Sequence, residues 1–278
     1  MTDDAGDAAC STHPTFRELV LSHAGNNVDK WEANLERYDH ELLALRDSPI
    51  SILEIGIHNG GSLEIWAKYF PRAQHIIGLD INPRCRLIEF NDPRIDVVIG
   101  DIMAANTHET LASLHDTYDL IVDDGSHHSR QIIHGFLALV HLLRPGGLYV
   151  IEDLCCSYWQ EFEGGVRRPD SSMNFLKRLV DVVNTEHWLS ALDAENYLSE
   201  ATDSNLLPLA INRLLEIESI TFSNSMCVIR MTPDRRPSRI GRRLSRGETS
   251  TVSASALERG LDHIEQAGRS QEDNPHNQ

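Results

Sequence analysis

Short apolar runs alternate with amphipathic segments between residues 49 and 233, and this alternation constrains the fold more than any other feature of the sequence. The runs are apolar almost throughout, as parallel strands covered on both faces must be. They lie at 50–56, 75–80, 95–100, 118–124 and 148–153. Segments with helical spacing lie at 62–70, 107–115, 128–143 and 172–184. Such an alternation predicts βαβ units and a doubly wound, Rossmann-like α/β sheet.

Two further signals concern the end of this sheet. The run Arg144-Pro145-Gly146-Gly147 predicts the end of the fourth helix, because proline cannot continue a helix and glycine supplies a turn. Residues 218–222 and 225–231 flank Ser223-Asn224. We predict that they are two strands of a closing hairpin.

The composition divides the chain into three zones. Residues 1–48 are polar with helical spacing, residues 49–233 form the predicted α/β domain, and residues 234–278 hold few large apolar side chains. Arginines crowd the start of the last zone, at Arg235, Arg236, Arg239, Arg242, Arg243 and Arg246. We expect this tail to be mostly solvated or disordered, with a short helix near 252–267.

The charge and the cysteine count exclude several classes of protein. Lys and Arg number 25 against 42 Asp and Glu, so the net charge is −17, which argues against nucleic acid or an anionic membrane as the main partner. No apolar run reaches the roughly 18 residues of a membrane span, and the acidic N-terminus does not resemble a signal peptide. Five cysteines, an odd number, suit a reducing compartment. We therefore expect a cytoplasmic protein.

The first predicted strand runs into a glycine-rich turn and then a helix. The segment contains Glu54, Gly56, Gly60 and Ser62, with His58 where a dinucleotide-binding motif would have a glycine. Glycines let a backbone approach a ligand, and a helix N-terminus offers free N–H groups to an anion. The departure from the dinucleotide pattern favours a smaller nucleoside ligand. An ordinary strand-to-helix turn is the alternative.

Acidic residues follow the next two strands. Asp80 ends the second strand, where a carboxylate is placed to accept hydrogen bonds from ribose hydroxyls. Asp101 follows the third strand, where it can receive an adenine amino group while Ile102 packs on the ring. Each acid alone fits a solvated strand end or a helix cap. Three successive strand ends with such residues predict a nucleoside pocket.

Carboxylates and imidazoles also crowd the ends of the fourth and fifth strands. The fourth ends in Asp123-Asp124-Gly125-Ser126-His127-His128 and the fifth in Glu152-Asp153. Clustered carboxylates repel one another unless a cation holds them, and no basic residue in these local segments neutralises them. Carboxylate oxygens suit Mg²⁺, Ca²⁺ or Mn²⁺ better than zinc. A metal site is therefore predicted, with His127 or His128 as a general base; a turn and a solvated strand end are the alternative.

From about residue 27 to residue 158 the chain resembles metal-dependent S-adenosylmethionine sugar O-methyltransferases, the group that modifies macrolides and related glycosides. The pair Asp123-Asp124-Gly125-Ser126-His127 and Pro145-Gly146-Gly147-Leu148-Tyr149-Val150-Ile151-Glu152-Asp153 is the specific part of the resemblance. Weaker matches are Val28-Asp29-Lys30-Trp31, Tyr38-Asp39-His40, Ile52-Leu53-Glu54-Ile55-Gly56, Gly60-Gly61-Ser62-Leu63, Gly78-Leu79-Asp80 and Gly100-Asp101. The resemblance fades after Tyr158, where acceptor specificity should lie.

The resemblance implies a fold, a reaction and a set of roles. The fold is the class I methyltransferase variant, a seven-stranded sheet whose last strand is antiparallel. A divalent metal, Mg²⁺ or a similar ion, would be bound by Asp124, Glu152 and Asp153, and His127 would be the base. Asp123 would face S-adenosylmethionine. His128 is expected to face elsewhere, so that its loss should cost little.

The expected reaction is methyl transfer to a hydroxyl of a sugar or glycoside. A loop bearing Tyr158, Trp159 and Gly164-Gly165 would close over the acceptor, with aromatic faces against the sugar, although Trp159 is equally suited to anchor the core. The alternatives are a metal-dependent O-methyltransferase of a catechol-like molecule and a nucleoside-binding protein without catalysis.

The amphipathic N-terminal segment suggests an assembly. Trp31, Leu35 and Tyr38 recur at helical spacing and have no place in the predicted sheet. They would either join two copies of the chain, most simply as a homodimer, or pack within one chain.

Overall fold

The structure is a computed structural model that describes residues 13–188 and 192–234 and, beyond these, residues 240, 241, 244, 246 and 247. The predicted helix near 252–267 and most of the arginine-rich tail lie outside the described residues. The chain forms two compact units, one ending at Gly125 and the other beginning at Ser126. The three-zone division remains a prediction.

The first unit is built around a parallel sheet. Its helices are α1 (Phe16–Leu21), α2 (Glu32–Leu42), α3 (Gly61–Tyr69) and α4 (Ala105–Leu114), with short 3₁₀ helices at Leu43–Leu45 and Pro83–Leu87. Its strands are β1 (Ser51–Ile55), β2 (His75–Asp80), β3 (Ile95–Ile99) and β4 (Tyr118–Asp123). Strand β1 pairs in parallel with β2 and β4, and β2 pairs in parallel with β3. Consequently, the C-terminal ends of these strands meet at one edge.

The second unit combines helices with antiparallel strands. Its helices are α5 (Ser129–Leu139), α6 (Ser172–Val183), α7 (Ala194–Ser199) and α8 (Leu207–Leu214), with 3₁₀ helices at Val140–Leu142, Leu154–Tyr158, Gln160–Phe162 and Thr185–His187. Its strands are β5 (Leu143–Ile151), β6 (Ile217–Ser223) and β7 (Met226–Met231). Strand β7 is antiparallel to β5 and to β6, so the predicted hairpin is present.

The strand order β3-β2-β1-β4-β5-β7-β6 confirms the predicted fold class, a seven-stranded α/β sheet with an antiparallel last strand. Within the part of the chain that the structure describes, no helix is both long and apolar enough to span a membrane.

The segment Arg144-Pro145-Gly146-Gly147 differs from the prediction. The helical segment before it ends at Leu142, close to the predicted place, but the run is not a separate turn, since it already belongs to the start of β5. Gly146 has a φ of 76° and donates its N–H to the carbonyl of Thr232 at 3.1 Å. The proline costs little there, since the beginning of a strand tolerates a residue without an N–H.

The N-terminal helices pack through an aromatic cluster. The ring of Phe16 in α1 lies 4.9 Å from that of Tyr38 in α2 and 4.7 Å from that of Trp66 in α3. Leu35 and Tyr38 are buried within the chain, whereas Trp31 is 62% exposed. Of the two predicted roles for this segment, packing within one chain therefore accounts for Leu35 and Tyr38.

Phe16→Ala should destabilise the protein by about 3–5 kcal/mol, because the side chain is fully buried among three other rings and a cavity would remain. Urea unfolding monitored by circular dichroism measures this loss. Leu21→Ala, in the same helix but 67% exposed, is the control and should change the stability by less than about 0.5 kcal/mol. Equal losses in both variants would contradict a core role for α1.

Candidate active site

The predicted glycine turn joins β1 to α3 at the C-terminal edge of the parallel sheet. Gly56 has a φ of 83°, and a Cβ there would lie 2.2 Å from the carbonyl oxygen of Asp124. Gly60, the N-cap of α3, has a φ of 79°. His58 lies exposed between them with a φ of 48°, a left-handed conformation that non-glycine residues seldom adopt. The turn is therefore a tight one that needs glycine at Gly56 and Gly60.

The carboxylate of Asp80 holds this turn in place. Its Oδ2 accepts hydrogen bonds from the backbone N–H groups of Ile57 at 3.0 Å and His58 at 3.2 Å, and Oδ1 accepts one from Asn82 at 2.8 Å. A carboxylate offers about four acceptor sites, so three backbone donors leave capacity for a ribose hydroxyl. Sequence reasoning places Asp80 at the right edge but does not reveal that it organises the turn.

A buried thiol also contacts the turn. Cys85 donates a hydrogen bond from Sγ to the carbonyl of His58 at 3.3 Å. Burial, reinforced by the nearby charge of Asp80, raises the pKa of Cys85. The thiol therefore remains protonated and keeps its donor role.

The other predicted cofactor residues lie at the ends of β3 and β4. Asp101 is exposed and accepts a hydrogen bond from the Met103 N–H at 2.9 Å, and Ile102 beside it is half-buried. Asp123 is buried, and its Oδ1 accepts a hydrogen bond from the Gly125 N–H at 3.3 Å. Because the strands are parallel, these residues share the edge that carries Asp80.

Lys30 is a site residue to which the sequence analysis gave no role of its own. Its Nζ lies 2.6 Å from Asp124 Oδ2 and 3.3 Å from Glu54 Oε1. The Lys30 side chain is 2% exposed, and Glu54 is fully buried and also accepts a hydrogen bond from Ser62 Oγ at 2.6 Å. The prediction concerned only basic residues in the local segments, and Lys30 neutralises Asp124 from outside them. It lies 94 residues away along the chain, so the pattern around Asp124 could not reveal the ion pair.

The segment before Lys30 lies on the glycine turn. The carbonyl of Asn27 accepts a hydrogen bond from the Gly61 N–H at 3.2 Å, and the Asn26 N–H donates to Glu64 Oε2 at 2.7 Å. A Cβ at Gly61 would lie 2.3 Å from the Asn26 carbonyl oxygen. Gly61 is therefore needed for this close approach, and the N-terminal segment is part of the site.

In the second unit, the predicted base lies beside a predicted metal ligand. His127 Nε2 is 3.8 Å from Asp153 Oδ2, a distance that suits an ion pair when the imidazole is protonated. His127 has a φ of 60° and Asp153 a φ of 52°, both in the left-handed region. Such conformations cost free energy and are concentrated at functional sites. Glu152, the other predicted metal ligand of this unit, is buried and directly follows β5.

The predicted acceptor residues lie in the loop after β5. Tyr158 is 43% exposed and Trp159 is 49% exposed, so Trp159 is not a core anchor. The ring of Trp159 lies 6.0 Å from that of Phe162, which in turn lies 5.3 Å from the ring of His128. His128 is the N-cap of α5, and its contact with Phe162 was not expected from the sequence.

Residues 53–154 match a family model described as a methyltransferase domain. The chain is 35% identical over 178 residues to the 8-demethyl-8-alpha-L-rhamnosyl tetracenomycin-C 2'-O-methyltransferase of Streptomyces olivaceus, covering 60% of this chain and 45% of that protein. It is 38% identical over 186 residues to the demethylmacrocin O-methyltransferase of Streptomyces fradiae, covering 63% of this chain and 46% of that protein. The chain thus spans about half the length of these relatives. The predicted resemblance to sugar O-methyltransferases is confirmed.

The chain is also similar in fold to a solved methyltransferase structure. The MycE methyltransferase from the mycinamycin biosynthetic pathway, in complex with Mg, SAH and mycinamycin VI, matches with a TM-score of 0.64 and 26% identity. The match covers 80% of this chain and 54% of that one. A second MycE structure, with Mg and SAH, matches equally well.

Lys30→Met should destabilise the protein by about 3–5 kcal/mol, because it leaves the buried Glu54 carboxylate without its cation. The double variant Lys30→Met with Glu54→Gln should recover part of the loss, since the uncompensated buried charge is then gone. Urea unfolding measures both. Lys68→Met removes an exposed ammonium and is the control. A single variant as stable as this control would contradict a buried ion pair.

Proposed function

We propose that this chain transfers the methyl group of S-adenosylmethionine to a hydroxyl of a sugar on a glycosylated small molecule. The observation that supports this most strongly is the similarity to sugar O-methyltransferases. The methyltransferase-domain match over residues 53–154 includes the glycine turn and the acidic residues at the ends of β4 and β5. These relatives favour a glycoside over a catechol-like acceptor. They also favour an enzyme over a nucleoside-binding protein without catalysis.

We further propose that the first unit binds the cofactor. The support is the combination of a tight glycine turn, the carboxylate of Asp80 that fixes it, and acids at neighbouring strand ends. Glu54, Gly56, Gly60, Ser62, Asp101, Ile102 and Asp123 would line the site with Asp80. The MycE complexes contain SAH, the product form of this cofactor.

Asp80→Ala should weaken the binding of S-adenosylhomocysteine by about 10–100-fold, because the ribose loses a charged acceptor and the turn loses two backbone bonds. Asp80→Asn, which keeps one oxygen acceptor, should lose less. Titration calorimetry measures all variants. Asp116→Ala, an exposed acid on the loop before β4, is the control. Tight binding of NADH with no response to S-adenosylhomocysteine would contradict the cofactor assignment.

The chemistry that we propose places the proton on His127. The acceptor oxygen attacks the sulfonium methyl group, the carbon–sulfur bond breaks with its electron pair going to sulfur, and the hydroxyl proton passes to the imidazole. Alignment of the two reactants is the protein's largest task, since the sulfonium methyl is already electrophilic. The carboxylate of Asp153 beside His127 would stabilise the imidazolium that forms.

Asp124, Glu152 and Asp153 are the residues that we propose as metal ligands. Their all-oxygen donor set suits Mg²⁺ or a similar hard cation, and Mg is present in the MycE complexes. When bound, such a cation supplies Lewis acidity that makes a coordinated hydroxyl easier to deprotonate. Lys30 already balances part of the charge on Asp124, so repulsion between carboxylates does not by itself require a metal.

Three further expectations stay predictions. The chain would act as a homodimer or a larger homo-oligomer. Of Trp31, Leu35 and Tyr38, only Trp31 is exposed and could contact another copy. Its location would be the cytoplasm. Tyr158 and Trp159 would contact the acceptor.

Removing divalent cations and removing the imidazole of His127 should affect the rate of turnover in different ways. Chelation should abolish turnover and Mg²⁺ should restore it, whereas Asp124→Ala should abolish both turnover and the response to Mg²⁺. His127→Ala should keep the response to Mg²⁺ but lose about 10²–10⁴-fold in rate, and its residual rate should climb with pH as hydroxide replaces the imidazole. Release of S-adenosylhomocysteine from a panel of glycosides measures these rates. A rate that is insensitive to chelators would contradict the metal assignment.

A further inference from the structure

An aromatic surface in the second unit adjoins the predicted base along the chain. It consists of His128, Phe162 and Trp159, whose rings contact one another in a row, and we call these three rings the aromatic shelf. Trp159 is 49% exposed, and the other two rings are half-buried. Core aromatic residues are normally fully covered, so a contiguous group of partly exposed rings can serve as a binding surface.

The loop that carries two of these rings is held by its own backbone. The Gly164 N–H donates to the Trp159 carbonyl at 2.8 Å, and the Gly165 N–H donates to the Ser157 carbonyl at 2.9 Å. A Cβ at Gly164 would lie 2.5 Å from the Ser157 carbonyl, so the turn closes tightly. Glu163 Oε2 accepts a hydrogen bond from the Arg130 N–H at 3.1 Å and ties the turn to the start of α5. His128 is the N-cap of that helix.

Hydrogen bonds between buried serine hydroxyl groups also hold this loop. Ser157 Oγ lies 2.5 Å from Ser172 Oγ, which lies 3.3 Å from Ser129 Oγ, and all three side chains are fully buried. Ser129 begins α5 and Ser172 begins α6, so the network joins the residue before Tyr158 to two helix starts. Satisfied buried polar networks favour one arrangement of the groups they connect. These hydrogen bonds hold the loop in one conformation, and its closure over the acceptor stays a prediction.

We propose, on the basis of the proposed function, that the aromatic shelf is the surface on which the C–H face of the acceptor's sugar ring lies. Flat aromatic side chains give a large contact area at a small cost in conformational entropy. The carboxylates of Glu161 and Glu163 lie in the same turn, and Arg168 interacts electrostatically with Glu163, so charges of both signs lie near the shelf and a neutral sugar suits it. His128 then contributes a flat ring that determines specificity, and replacing it by alanine should weaken the binding of the acceptor.

The kinetic test separates this role from proton transfer. With the glycoside that the wild-type enzyme methylates best, Phe162→Ala and His128→Ala should raise KM about 10-fold and leave the pH profile unchanged, and His128→Phe should restore KM. Val166→Ala, 77% exposed in the same loop, is the control and should leave KM unchanged. Unchanged KM values in both Ala variants would overturn the proposal, as would a fall in kcat with an altered pH profile in His128→Ala.

Binding can be followed without turnover, through the fluorescence of Trp159. Methyl α-L-rhamnopyranoside should quench the wild-type emission, and the change should disappear in Trp159→Phe while the affinity measured by calorimetry stays within a few-fold. Phenol, a model for an aromatic aglycone, should produce no such change; quenching by phenol alone would overturn the assignment to a sugar. Normal binding of S-adenosylhomocysteine shows that each variant is folded. If the sugar binds but no glycoside is methylated, the proposed function fails and the shelf stands.

Discussion

The buried ammonium group of Lys30 is the interaction on which the first unit's site depends. It lies between Glu54 in β1 and Asp124 just after β4, and both the lysine and Glu54 are removed from water. Removing one partner of such an arrangement leaves a charge that the interior cannot solvate. The segment that delivers Lys30 also contacts the glycine turn through Asn26 and Asn27. The N-terminal region is therefore part of the site and not an appendage.

Several residues of the candidate site have a left-handed backbone conformation. Among the described residues with a positive φ that are not glycine are His58 in the turn, His127 at the proposed base and Asp153 beside it. The surroundings must stabilise each of them, because residues other than glycine adopt that region infrequently and at a cost in free energy. The turn bonds of Asp80 do so for His58. Three of these residues belong to the candidate site, whereas the other two described residues of this kind, Glu163 and Ser225, lie in turns.

The sequence predicted the sheet well because buried parallel strands are apolar along their whole length. For example, β2 begins and ends as predicted, and α6 ends within a residue of the prediction. The prediction failed at Arg144-Pro145-Gly146-Gly147, where glycine and proline suggested a turn but pairing beside β7 extends the strand. It also gave no role to Lys30 or Phe162, since ion pairs and ring contacts between distant segments leave no periodic signal. The acidic strand ends were visible because each follows a recognisable strand.

Mass spectrometry of the product tests whether the methyl group is transferred to a sugar hydroxyl. The full chain is incubated with S-adenosylmethionine, Mg²⁺ and a panel of neutral glycosides that includes an aryl α-L-rhamnoside. Sugar O-methylation predicts a product with one additional methyl group, retained in the sugar fragment, together with one equivalent of S-adenosylhomocysteine. A methyl group found only in the aglycone fragment, or no methylated product from any glycoside, would contradict it.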